Sequence, residues 1–139
     1  MLDGFSKLEL ALLNSWCKET TKDWRPENPS WGHCAVTALV VQDFYQGEIV
    51  WAQAVLPNGQ KESHYFNKRD GQEIDLTRQQ FPEGTSIPQG KTKLEGMKNG
   101  KSHGPFPTTR DYILSYEDTR QRYETLKTKV LHFLLSYKE

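Results

Sequence analysis

Three residues are of types suited to covalent catalysis: Cys34, His64 and Asp75. Cys34 follows the Pro- and Gly-broken segment TKDWRPENPSWGH (21–33) and opens the apolar run CAVTALVVQDFY (34–45), so it stands at the expected N-terminus of a helix. Unpaired N–H groups and the helix dipole favour a thiolate there, the reactive form of the side chain. The plainer alternative is a small packed hydrophobe, which is how most free cysteines behave. His64 falls within ESHYFNK (62–68), expected as a strand, and Asp75 within the next, QEIDLT (72–77). Taken singly, a strand histidine is most often a surface or hydrogen-bonded core residue, and a carboxylate flanked by Ile74 and Leu76 most often points to solvent.

Strand register is what joins them. With the four-residue loop KRDG (68–71), His64 stands directly opposite Asp75; with the two-residue Asp70-Gly71 turn, Asp75 becomes its diagonal neighbour on the same face. An odd loop or a bulge would separate the pair. A thiol at a helix start, beside a histidine held by a carboxylate, supplies the nucleophile, base and orienter of cysteine acyl transfer. His64 would take the Cys34 proton, while Asp75 fixes the ring and stabilises imidazolium. The expectation is a cysteine hydrolase or acyltransferase acting on an amide, thioester or ester of a peptide or small molecule. The alternative is a non-catalytic binding module that keeps the same polar groups as a structural network.

Such a reaction needs oxyanion donors near the nucleophile. The Cys34 backbone N–H is one. Gln53 is another, because a two-residue Asn58-Gly59 turn sets it opposite His64. Trp31, Tyr65 and Phe66 either line a substrate cleft or fill the core. A zinc site from Cys34, His33 and His64 would have suitable ligand types, yet neither CxxC nor HxxxH spacing is present, so no metal or cofactor is expected. His103 lies apart in a long loop, and Cys17, beside Trp16 in the first helix, reads as packing.

These residues must be positioned by the rest of the chain. Phe5, Leu8, Leu12, Leu13 and Trp16 recur at helical spacing over residues 5–20. The run 34–45, too long for a typical strand, is the expected central helix, followed by strands EIVWAQAV (48–55), 62–68 and 72–77 joined by hairpin turns. Residues 82–108, with four prolines and five glycines, form a long irregular loop whose lysines at 91, 93, 98 and 101 are solvated. The closing segment carries Tyr123, Leu126, Val130, Phe133, Leu134 and Tyr137 as an apolar stripe, a long helix capped at Asp118 or Thr119. The architecture expected is one α+β domain over residues 1–139: a helix bearing the cysteine on an antiparallel sheet of at least three strands, with flanking terminal helices.

The order Cys, His, Asp on helix, strand and next strand resembles papain-like folds, including the NlpC/P60-like and transglutaminase-like enzymes. More narrowly, NPSWGHCAVTALVVQDFYQGEI (28–49), SHYFNKRDGQEIDLTRQQF (63–81) and TRDYILSYEDTRQRYETLKTKV (109–130) resemble the YunG-like family of small bacterial proteins. The resemblance implies a papain-like core bearing Cys34, His64 and Asp75, and supplies no substrate. Papain-like peptidases usually carry Gln six residues before the cysteine; Asn28 stands there in this chain and becomes a further oxyanion candidate.

Composition removes other classes. Eighteen Lys+Arg against 18 Asp+Glu in 139 residues leave no net field for attracting nucleic acid or anionic lipid. No stretch reaches the roughly 18 consecutive apolar residues of a membrane span, and the first residues lack a basic segment followed by an apolar one. A cytoplasmic protein with reduced thiols is expected, since a disulfide-stabilised secreted domain would carry more than two cysteines.

Overall fold

The computed structural model describes residues 4–92 and 108–137. Among these residues lie four α-helices and one three-stranded antiparallel sheet, an α+β arrangement. In chain order they are α1 (Gly4–Ser15), α2 (Cys34–Tyr45), β1 (Glu48–Val55), β2 (Lys61–Arg69), β3 (Gln72–Ile74), a 3-10 turn at Arg78–Gln80, α3 (Thr109–Leu114) and α4 (Glu117–Ser136). No described helix is long and apolar enough to cross a membrane.

The run 34–45 is apolar on every side because α2 is enclosed: Val36 to Val41 are all buried. Leu8 and Leu12 of α1, Leu39 and Val40 of α2, Ile49 of β1, and Leu126 and Val130 of α4 form the main core with it. Burying each such side chain contributes about 1.5–3 kcal/mol. Asn67 of β2 is buried too, and its amide donates to the Ala38 carbonyl at 2.9 Å, tying the middle strand to α2. A smaller cluster of Val50, Ala52 and Phe66 is covered by Ile87. The covering segment pairs with the outer edge of β1 at two bridges, Val55 with Ser86 and Trp51 with Lys91. It lies so close that a Cβ on Gly90 would meet Val50 Cγ2 at 2.4 Å and Phe66 Cζ at 2.8 Å.

The two hairpins set the register at the site. Between β2 and β3, Asp70 and Gly71 both take positive φ (52° and 79°), the backbone of a two-residue type I′ turn, and Arg69 pairs with Gln72. The β1–β2 turn departs from expectation. A two-residue Asn58-Gly59 turn would need Pro57 to donate to Gln60, and proline has no N–H. Instead Leu56 N donates to Gln60 O at 2.8 Å, five residues separate the strands, and the register moves by one, pairing Ala52 with His64 and Gln53 with Ser63.

Other boundaries differ for local reasons. α1 stops at Ser15 rather than near residue 20, because Thr20 Oγ1 accepts from Cys17 N and the Thr20 and Thr21 amides both turn back to the Cys17 carbonyl. Ahead of the terminal helix lies an unexpected short one, ended at Ser115, whose hydroxyl donates to Tyr112 O at 2.6 Å. Thr108 caps the short α3 by accepting from Asp111 N, and α4 starts at Glu117, just ahead of the expected caps. Of the expected loop 82–108, residues 93–107 lie outside the described residues, His103 and the lysines at 93, 98 and 101 among them.

Candidate active site

β2 holds His64 with none of its surface exposed. By strand alternation it shares a face with Ala52 and Phe66; the small alanine opposite leaves room for the ring, which stacks on Phe66 at 5.2 Å between centroids. Phe81 closes the other side edge-on at 5.0 Å. Nε2 lies 2.7 Å from Asp75 Oδ2, while Nδ1 is buried without a hydrogen-bond partner.

Asp75 sits one residue past β3, diagonal to His64 in the register set by the Asp70-Gly71 turn. Its Oδ1 accepts from Thr77 N at 3.3 Å, an Asx turn that aims Oδ2 at the ring. Burial pulls the His64 pKa down, but the hydrogen bond to Asp75, followed by the influence of Cys34 and the charges of both, more than offsets it and raises the value to about 9. With Nε2 taken by Asp75, Nδ1 is the nitrogen left for the Cys34 sulfur.

Cys34 is the first residue of α2 and is half-buried. The segment delivering it is a chain of tight turns, with Trp31 N bonded to Asn28 O and His33 N to Ser30 O. His33 is enclosed: Nε2 meets Thr20 Oγ1 at 2.5 Å and the ring tilts against Trp16 at 5.7 Å. Burial, and then the Arg122 charge, lower its pKa to about 4 against the pull of the Pro29 and Trp31 carbonyls, so it is neutral at physiological pH. Gln80, buried at the end of the 3-10 turn, connects this segment to the Asp75 side: its Oε1 accepts from Gly32 N at 3.3 Å and its carbonyl from Asn28 Nδ2 at 2.9 Å.

The family described as YunG protein matches residues 4–135. The chain belongs to the YunG family. It is 36% identical over 74 residues to the "Uncharacterized protein YunG" of Bacillus subtilis (strain 168), an alignment spanning 53% of this chain and 60% of that relative. No solved structure matches it.

Within this YunG-family chain the structure brings Asp75 onto His64, with Cys34 near enough for its charge to raise the ring's pKa. Of the other candidates it brings Phe66 onto the ring and scatters the rest. Gln53 is exposed opposite Ser63, because the five-residue turn puts it on the other face from His64. One N–H of the Asn28 amide donates to the Gln80 carbonyl at 2.9 Å. Tyr65 and Phe66, being adjacent in a strand, part to opposite faces: Phe66 carries the His64 ring, whereas Tyr65 packs against the main core. Burial, then Tyr112 and Cys34, raise the Tyr65 pKa and keep the phenol neutral. Trp31 meets Phe81 edge-on at 6.4 Å and carries the Arg25 guanidinium 5.4 Å above its ring. Cys17 is a half-buried free thiol near Thr20. Among the described residues no three His, Cys, Asp or Glu side chains converge as metal ligands.

Sequence reasoning passed over Phe81, Gln80 and Arg122. Phe81 and Gln80 stand at the edge of an expected loop, and Arg122 on the polar side of a long helix, positions where sequence spacing carries no signal. Arg122 Nε donates to Thr20 O at 2.6 Å and Nη2 to Gly32 O at 2.9 Å.

Proposed function

We propose that this YunG-family protein is a cysteine hydrolase or acyltransferase on a papain-like core, with Cys34 as nucleophile, His64 as base and Asp75 as orienter. What carries the reading is the state of the His64 ring: buried, bound by Asp75 through Nε2, with Nδ1 unpartnered and Cys34 acting with Asp75 to raise its pKa.

In the resting site Asp75 accepts Nε2–H, and a ring with a pKa of about 9 already holds the Cys34 proton on Nδ1 at neutral pH, giving a thiolate–imidazolium pair. The thiolate attacks the acyl carbon, and the oxyanion meets the Cys34 N–H, which has no acceptor within its helix. Nδ1–H then protonates the departing amine, thiol or alcohol, leaving an acyl-thioester on Cys34. Water, or an acceptor nucleophile, gives its proton to Nδ1, attacks the thioester and releases the thiolate.

Labelling of the full chain with iodoacetamide, read by mass spectrometry, tests this. Cys34 should react faster than Cys17 at neutral pH, and His64→Ala should slow it by about 10²-fold, the lower end of what a positioned base contributes. Equal labelling in wild type and His64→Ala would leave the binding-module reading in its place.

A further inference from the structure

Arg122 extends from α4 to two segments far away in sequence. Nε bonds the Thr20 carbonyl at 2.6 Å and Nη2 the Gly32 carbonyl at 2.9 Å. Gly32 lies two residues before the thiol, and the Thr20 hydroxyl meets Nε2 of His33, the residue immediately before it, at 2.5 Å. One planar fork thus fixes both segments that deliver Cys34 to its place.

The charge is as informative as the geometry. The side chain is only 21% exposed, and its nearest carboxylate, Asp118, lies 3.9 Å away and is itself 84% exposed. Carbonyl acceptors satisfy the donors of a guanidinium without neutralising it. Burial lowers the Arg122 pKa, while Asp118, Cys34 and Asp23, in that order, act to raise it. Among the described residues, His64 and Tyr65 from β2 and Arg122 from α4 interact with the charge of the sulfur, and His33 precedes it in the chain.

We propose that Arg122 is a positioning residue for Cys34, gripping the Thr20 and Gly32 carbonyls to fix the start of α2 and supplying a fixed cation that favours the thiolate. The inference rests on the acyl-transfer reading and assigns Arg122 no contact with substrate.

The test is the pH profile of iodoacetamide labelling at Cys34 in the full chain at low ionic strength. Arg122→Gln should move the profile about one pH unit to the alkaline side, slowing labelling at neutral pH about tenfold. Arg122→Lys, which keeps a cation but loses the fork, should recover most of the shift. Should Arg122→Gln fail to fold, Asp118→Asn decides: removing this exposed carboxylate leaves the guanidinium field less opposed and should move the profile a few tenths of a unit to the acid side. A wild-type profile that responds to His64→Ala, yet superimposes on those of Arg122→Gln and Asp118→Asn, overturns the role of Arg122 alone. A profile indifferent to His64→Ala overturns the acyl-transfer reading itself.

Discussion

Nε2 of His64 and Oδ2 of Asp75 lie 2.7 Å apart although Asp75 stands outside the strand ladder, one residue past the last paired position of β3. The contact is made by an Asx turn closing on Thr77, which holds the carboxylate under the ring after strand pairing has ended. The orientation of the imidazole therefore depends on a local turn as well as on the sheet.

That dependence can be read from the titration of His64. Its ring, followed by NMR, should titrate near pH 9 in the wild type. Asp75→Asn should lower the midpoint most and Cys34→Ala less, since Asp75 contributes ahead of Cys34. A midpoint unmoved by Asp75→Asn would remove Asp75 as the orienter.

The two enclosed histidines give the fold opposite pH dependences. His33 has a folded pKa of about 4 against 6.5 unfolded, so acid protonates the unfolded chain first and stability falls as pH drops from 6.5 toward 4. His64 has a folded pKa of about 9, so its contribution is complete below 6.5 and is lost as pH rises through about 9. Each amounts to on the order of 3 kcal/mol. Urea unfolding across pH should peak near 6.5, with His33→Gln flattening the acid limb and His64→Gln the alkaline one. Limbs that persist unchanged in those variants would refute the assignment.

Gln80→Ala removes the acceptor of Gly32 N and the side-chain donor to Thr77 O. The expected cost is about 1–2 kcal/mol of stability. Because those two bonds link the Cys34 and Asp75 sides, Cys34 labelling in the folded variant should also slow. Full stability together with wild-type labelling would show that the link is idle.

Gly90→Ala forces a methyl to within 2.4 Å of Val50 Cγ2, an overpacking expected to cost about 1–3 kcal/mol. Thermal melts should show a lowered Tm that is partly restored by Val50→Ala. Equal Tm values for wild type and Gly90→Ala would mean that the covering segment is not held against the sheet.

Much of this arrangement was legible because it depends on local patterns. The unbroken apolar run 34–45 and the Asp70-Gly71 pair are short-range signals, and they placed Cys34 at a helix start and kept His64 and Asp75 on one face. Gln53 was misplaced by the same kind of reasoning: the Asn58-Gly59 signal is a turn signal, but Pro57 withholds the N–H that would close the shorter hairpin. Arg122, 90 residues from the Gly32 carbonyl it binds, left no local trace, since such a contact exists only once α4 has docked. Phe81 was hidden likewise, its edge-on contact with His64 formed by a segment without regular repeat.

The bridges from Ser86 and Lys91 to β1 bear on how this chain behaves among copies of itself. An exposed strand edge is a template on which other chains add β-structure. Here the outer side of β1 already has two of its positions hydrogen-bonded, and β3, on the far side, is only three residues long. A sheet with one border partly occupied and the other too short to extend gives polymerisation little to grow from, so copies of this chain have little edge on which to recruit one another into fibres.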